Sequence, residues 1–201
     1  MKEYVARSLA AVPTAADPVW ETIPAVALDF VWENSFPSPY ATFARLVHSP
    51  EGLTVRFETD EWPLRACHTV ANEQICEDSC MEFFFTPNLV DAAYINIEVN
   101  PLGVPHVGIG TSRYDRRLLD VTAEDLRIET SVTYGRGWTI TLHVPYTFID
   151  RHFTSRGREM RANFYKCGDK TVRKHFSVWS PIGTEKSDYH QPSFFGKIVL
   201  E

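Results

Sequence analysis

No run in this sequence approaches the roughly 20 consecutive apolar residues a bilayer-spanning helix needs, so a helical membrane protein is excluded and no membrane partner is expected. Clustered basic charge is missing too. The formal net charge is −6 and the Lys and Arg residues are scattered among acidic ones, so the electrostatic footprint that a phosphate backbone demands is absent and nucleic acid is not expected as a partner. Cysteine is sparse: Cys67, Cys76, Cys80 and Cys167. On one strand, the sulfurs of Cys76 and Cys80 would stand about 13 Å apart, too far for a disulfide. The C-x₃-C spacing of the same pair does not match the tight C-x₂-C knuckles of structural zinc, which argues against a site built from Cys67, His68, Cys76 and Cys80.

The segment MKEYVARSLAAVPTAADPVW carries a short Ala-rich patch interrupted by Glu3, Arg7, Pro13 and Asp17. It has no apolar signal core, and a cytoplasmic location is the expectation. Common catalytic signatures are also missing: there is no G-x-S-x-G, no P-loop, no G-x-G-x-x-G between strand and helix, and no H-E-x-x-H. Sequence repeats, low-complexity runs and composition shifts are absent, so residues 1–201 read as one domain.

What the chain does have is a period of two. In GLTVRFET, Leu53, Val55 and Phe57 share one face, with Thr54, Arg56 and Glu58 on the other; in AYINIEVN, Ile95, Ile97 and Val99 alternate with Tyr94, Asn96 and Glu98. Seven further stretches read as strands: YATFARLVH, ICEDSCMEFFF, LRIETSVTY, GWTITLHVP, EMRANFYKC, HFSVWSP and GKIVLE. Helical pattern is confined to SRYDRRLLD, AEDLR and PYTFIDRHF, the last with Pro145 at its first position. The fold class is therefore all-β: an antiparallel β-sandwich, jelly-roll-like and immunoglobulin-like in shape, with few short helices.

Alternation places Met160, Ala162, Phe164 and Lys166 on one face of the Ala162 strand and Arg161, Asn163, Tyr165 and Cys167 on the other. With the first face in the core, Asn163 and Tyr165 would project outward beside Asn96 and Glu98. Sugars are recognised by such surfaces, because their C–H faces stack on aromatic rings and their hydroxyls need directional polar partners. Trp179, at the end of HFSVWSP, is the expected stacking platform, and Trp62, in DEWPLR, the expected opposite wall of an aromatic clamp. His190, in DYHQPSFFG, completes the candidate set as a polar loop residue. Two other readings stand beside this one. Glu82 and Glu98 on adjacent strands would suit a glycoside hydrolase working through paired carboxylates, and a sandwich of this kind would also suit a sensor of a non-glycan ligand.

EDSCMEFFF (Glu77–Phe85), YINIEVNPLG (Tyr94–Gly103), GWTITLHVPYTFI (Gly137–Ile149), ANFYKCGD (Ala162–Asp169) and HFSVWSPIGTEKSDYHQPSFFGKIVLE (His175–Glu201) resemble, in this order, the stand-alone group of carbohydrate-binding module family 9-like proteins. The resemblance implies a non-catalytic β-sandwich that binds oligosaccharide or polysaccharide, such as xylan or cellulose, at a chain end, in polysaccharide catabolism. It also implies a sugar held between two tryptophans, for which Trp62 and Trp179 are the candidates, with Glu98, Asn163, Tyr165 and His190 as polar partners. Calcium is the cofactor that goes with such a family. Asp78, Glu82 and Asp91 are the oxygen donors on hand, with no ligand set assigned.

Overall fold

In the computed structural model, which describes residues 2–201, the alternation of Gly52–Thr59 becomes a strand whose Leu53, Val55 and Phe57 are buried. Thirteen strands form among the described residues: β1 (Glu3–Ser8), β2 (Val26–Ala27), β3 (Thr42–Ser49), β4 (Gly52–Thr59), β5 (Cys80–Thr86), β6 (Tyr94–Val99), β7 (Pro105–Gly110), β8 (Arg117–Leu118), β9 (Glu129–Thr133), β10 (Gly137–Pro145), β11 (Glu159–Gly168), β12 (His175–Val178) and β13 (Gly196–Leu200). A single α-helical turn, α1 (Tyr146–Ile149), follows Pro145, whose fixed φ suits a helix start.

The strand path runs β8-β7-β6-β5-β11-β13-β1-β3-β4-β10-β9, with β12 added to β11 and β2 to β3. β1 is the joint. Its Glu3–Ala6 pair with β13 in one sheet, and its Arg7 and Ser8 pair with β3 in the other. Both of these pairings are parallel, whereas the other strand pairs are antiparallel. Folding the path at β1 lays one sheet on the other, and the core forms between them, where Phe57 of β4 meets Phe164 of β11 edge-on at 5.9 Å.

An ion pair is sealed into this core. Lys166, on the core face of β11, reaches Glu61 at 2.8 Å and His175 Nε2 at 2.8 Å, and all three side chains are fully buried. Trp138 Nε1 and Ser79 Oγ also donate to Glu61, at 3.0 and 2.8 Å. The pair is thus hydrogen-bonded on both sides, as a buried ion pair must be to persist.

The outer face of the β5–β6–β11 sheet is covered as well. Trp32 and residues 182–195 of the tail pack over Phe84, Tyr94 and Tyr165 as a second apolar cluster. Every residue of β5 is consequently buried, which is what the unbroken Phe83-Phe84-Phe85 run encodes: a strand apolar on both faces must be covered on both.

Several local expectations differ from the structure. The strand expected over ICEDSCMEFFF begins only at Cys80, because Ile75–Glu77 form a short 3₁₀ turn. SRYDRRLLD is a bend leading into β8 rather than a helix, and AEDLR is a turn. β1 lies in the segment read for its missing signal core, and its short EYVARS pattern is too brief to stand out from sequence alone.

Candidate functional site

Strand register assembles one transverse row on the outer face: His106 of β7 opposes Glu98 of β6, Glu98 opposes Glu82 of β5, and Glu82 opposes Tyr165 of β11. The covering loops stop short of the His106–Glu98–Glu82 end of this row. A cleft of about 510 Å³ opens there, walled by Arg113 and Arg116 from the β7–β8 bend and by Asp188 and His190 from the tail. Aromatic rings stand at its edge. Tyr114 is 93% exposed, and Phe176 also lines the cleft, with Lys174 5.4 Å from its ring centre.

The floor is electrostatically unusual. Burial, reinforced by the neighbouring Glu98 carboxylate, pushes the Glu82 carboxyl well above the usual range. Its Oε1 accepts a hydrogen bond from Cys167 Sγ at 3.0 Å. Glu98 accepts from Asn96 Nδ2 at 3.1 Å and faces Arg116 Nη1 at 3.7 Å. Arg116 Nε and Nη1 and Asn96 Oδ1 are buried with no hydrogen-bond partner. Such atoms are rare in native proteins because each carries a desolvation cost, and around a cleft they mark places for a ligand hydroxyl or a water.

The walls are better satisfied. Arg113 holds Asp188 at 2.7 Å. Burial works against the Asp188 carboxylate, yet Arg113, Gln191 and the His190 amide together hold its pKa below the ordinary value. Burial, with Arg116 and Arg113 close by, pulls the His190 pKa down to about 3. The ring is therefore neutral, and its Nδ1 is engaged by the Tyr94 hydroxyl at 2.7 Å.

Of the residues expected from the sequence, Glu98 and His190 line the cleft. Four do not, and each has a physical reason. Trp179 is a core residue, 2% exposed, with its ring 5.4 Å from Phe164 and so tight on Gly196 that a Cβ there would come within 2.4 Å of it. Asn163 is fully buried and clamps the backbone of Ser180, donating to its carbonyl at 2.9 Å and accepting from its amide at 2.8 Å. Tyr165 is fully buried, stacked on Tyr189 at 4.2 Å and donating to the Tyr189 carbonyl at 3.0 Å. Trp62 is half-buried and sits edge-on to Tyr134 at 4.7 Å, beside the β9–β10 turn of the other sheet. The two-tryptophan clamp is thus corrected, since Trp179 has no free face.

Sequence reasoning missed Arg113, Tyr114, Arg116 and Asp188. The signal was a charged and aromatic run, SRYDRR, directly after the strand Pro105–Gly110, a loop position on a rigid scaffold; a helical reading of that run concealed it.

The oxygen donors named for calcium do not gather into one site. Asp78 Oδ2 is taken up by the amides of Cys67 and His68 and by Asn100 Nδ2, at 2.9, 3.0 and 3.0 Å. Glu82 lies four residues further on, and Asp91 lies beyond the far end of β5, bonded to Asn88. A carboxylate with one oxygen taken by three N–H donors, a second on β5 and a third beyond its far end do not supply the six to eight converging oxygens that calcium requires.

The family model of carbohydrate-binding family 9 matches residues 16–200. No curated relative matches the sequence. Among solved structures, a candidate carbohydrate-binding protein from Bacteroides uniformis ATCC 8492 is 25% identical, covers 100% of this chain and 99% of its own, and superposes with a TM-score of 0.87. A family 9 module from Caldicellulosiruptor kristjanssonii in complex with cellotriose is 13% identical, covering 100% of this chain and 94% of its own, with a TM-score of 0.67. The module from the same organism in complex with glucose is also 13% identical, covering 100% and 96%, with a TM-score of 0.68. At 13% identity these two show the shared sandwich. With the family match running over nearly the whole sequence, this chain belongs to carbohydrate-binding family 9.

Proposed function

We propose that the chain binds the end of an oligosaccharide or polysaccharide in the cleft floored by Glu82 and Glu98, without transforming it. The observation that carries this reading is the pair of buried, unpartnered nitrogens of Arg116, Nε and Nη1, in a cleft edged by Tyr114 and Phe176. A sugar meets both demands: hydroxyls for the polar atoms and C–H faces for the rings. The likeness to modules solved with cellotriose and with glucose favours a glucose-configured unit.

The paired carboxylates support binding better than hydrolysis. Cross-strand partners have Cβ atoms about 4.5–5.5 Å apart, so Glu82 and Glu98 are close, but Glu82 is 2% exposed and is held by Cys167. It belongs to the cleft floor but presents almost no surface to a substrate.

Isothermal titration against glucose and cello-, xylo-, manno- and galacto-oligosaccharides tests the proposal. Arg116→Met should weaken binding of the preferred sugar roughly 10- to 100-fold, the loss expected for about 1.5–3 kcal/mol of hydrogen bonding to a charged donor. Unchanged affinity in a folded Arg116→Met variant would place the sugar elsewhere. Release of reducing ends by the wild type, abolished in Glu98→Gln, would replace the binding role with a hydrolytic one.

A further inference from the structure

Beneath the cleft, β5 and β11 bring two thiols and a carboxyl together. Cys80 and Cys167 are direct cross-strand partners, and Glu82 lies two residues along β5 on the same face. One sulfur from each cysteine and one Glu82 oxygen lie within 4.8 Å of one another, and all three residues are buried. Glu82 and Cys167 also form part of the cleft lining. We propose that Cys80, Cys167 and Glu82 hold a divalent cation of the zinc class, with its remaining position open to the cleft.

The geometry and the donor chemistry agree. A tetrahedral cation with metal–sulfur bonds of about 2.3 Å and metal–oxygen bonds of about 2.0–2.2 Å sets its ligand atoms roughly 3.5–3.8 Å apart; the three groups lie within 4.8 Å of one another, with Cys167 Sγ and Glu82 Oε1 at 3.0 Å, so shifts of about an ångström bring them to that spacing. They sit in mid-sheet on adjacent paired strands, where backbone positions are fixed. Two sulfurs and one oxygen favour zinc over calcium, which takes oxygen ligands and many of them.

Two buried cysteines alone would be small hydrophobes; the carboxyl between them is what packing does not explain. Among the described residues its hydrogen-bond partner is the Cys167 thiol, a weak donor, and a buried carboxyl so poorly served is costly. A cation supplies the missing partner. Binding is a simple exchange: two metal–sulfur bonds and one metal–oxygen bond form as the two S–H protons, and any proton held on the Glu82 carboxyl, leave to the buffer, and no oxidant or reductant takes part.

The test is a titration of the reduced full chain with Co²⁺, followed by Zn²⁺. The expected result is one Co²⁺ per chain with tetrahedral visible bands, sulfur-to-cobalt absorption equivalent to two thiolates, and displacement by Zn²⁺. Cys167→Ser and Glu82→Gln should each weaken binding at least ~10-fold, while Cys67→Ser, at the exposed cysteine, should leave it unchanged. The wild-type spectrum decides even where a buried variant fails to fold, because absent thiolate bands overturn the proposal outright. Bands that persist in a folded Cys80→Ser/Cys167→Ser double variant, or that vanish in Cys67→Ser, overturn it equally. No sugar enters the titration, so its failure and the failure of the glycan reading are separate results.

Discussion

Replacing Trp179 separates a core tryptophan from a sugar platform. The ring packs against Phe164 and fits so closely over Gly196 that even a methyl group on the glycine would intrude. Truncating a core tryptophan to alanine costs about 3–5 kcal/mol, from lost transfer energy and the cavity left behind. In a chain of 201 residues, each kcal/mol lowers the melting temperature by about 2–4 °C, so Trp179→Ala should melt roughly 6–20 °C below the wild type. Gly196→Ala attacks the same contact from the other side. The new Cβ would meet the ring at 2.4 Å and the Lys2 carbonyl at 3.0 Å, and such overpacking costs about 1–3 kcal/mol. Calorimetric unfolding of both variants gives the stability arm. Sugar titration at a temperature where each remains fully folded gives the binding arm, with affinity expected within about twofold of wild type, the size of a few tenths of a kcal/mol. A Trp179→Ala variant that melts with the wild type and no longer binds sugar would refute the reasoning.

Three other perturbations probe separate parts of the molecule. Tyr114→Ala should weaken sugar binding about 5- to 30-fold, as expected for losing roughly 1–2 kcal/mol of stacking, and leave the melting temperature alone, because the ring is almost wholly exposed; equal affinity by titration would remove it from the site. Lys166→Met should destabilise the fold by about 3–5 kcal/mol by stranding Glu61 in the core, while the Lys166→Met/Glu61→Leu pair should recover part of that loss; a double variant no better than the single, measured by urea unfolding, would contradict the ion-pair account. His175 should make stability fall in acid. Burial first, and then the Lys166 charge, hold its pKa at about 4 in the fold against 6.5 otherwise, so its neutral form stabilises the protein fully above pH 6.5 and the contribution drains away as pH falls toward 4. At about 1.36 kcal/mol per pH unit the change is about 3 kcal/mol, seen as the difference between the unfolding-versus-pH curves of wild type and His175→Gln; parallel curves would disprove it.

The faces of the strands were legible because period-two alternation is a local property. Ile95, Ile97 and Val99, and likewise Met160, Ala162 and Phe164, lie in the main core as their spacing requires. What alternation does not reveal is what lies over the second face. Asn163 and Tyr165 point away from the main core as expected, but the second apolar cluster roofs them over, and a polar group seen in one strand reads the same whether its partner is solvent or the Ser180 backbone. The warning lay in neighbouring β5, where CMEFFFT has no solvent side to offer. Trp179 posed the opposite difficulty: a tryptophan before Pro181 at a strand end looks like an exposed loop residue, and only Gly196, distant in sequence, shows that a slot was left for its ring. Glu98 and His190 were found because both are polar residues next to elements that truly end at the cleft.

The same cover that buried the expected platform also builds the wall that replaces it. Tyr189 is the anchor: it stacks on Trp32 at 5.8 Å and on Tyr165 at 4.2 Å. Its hydroxyl donates to the Lys166 carbonyl at 2.8 Å, and its own carbonyl accepts from Tyr165 at 3.0 Å. With the middle residue of Asp188-Tyr189-His190 fixed at both ends of its side chain and at its backbone, its two neighbours are positioned on the cleft before any ligand arrives. Asp188 is held further by Arg113, and His190 by Tyr94. A loop ordered in advance does not pay an ordering cost on association, each rotamer-rich side chain frozen at binding being worth about 0.5–1.5 kcal/mol. Asn163 and Tyr165 therefore contribute to recognition through the positions they impose: Asn163 fixes the chain at Ser180 and Tyr165 fixes it at Tyr189, setting the path of the tail that carries Asp188 and His190 to the cleft.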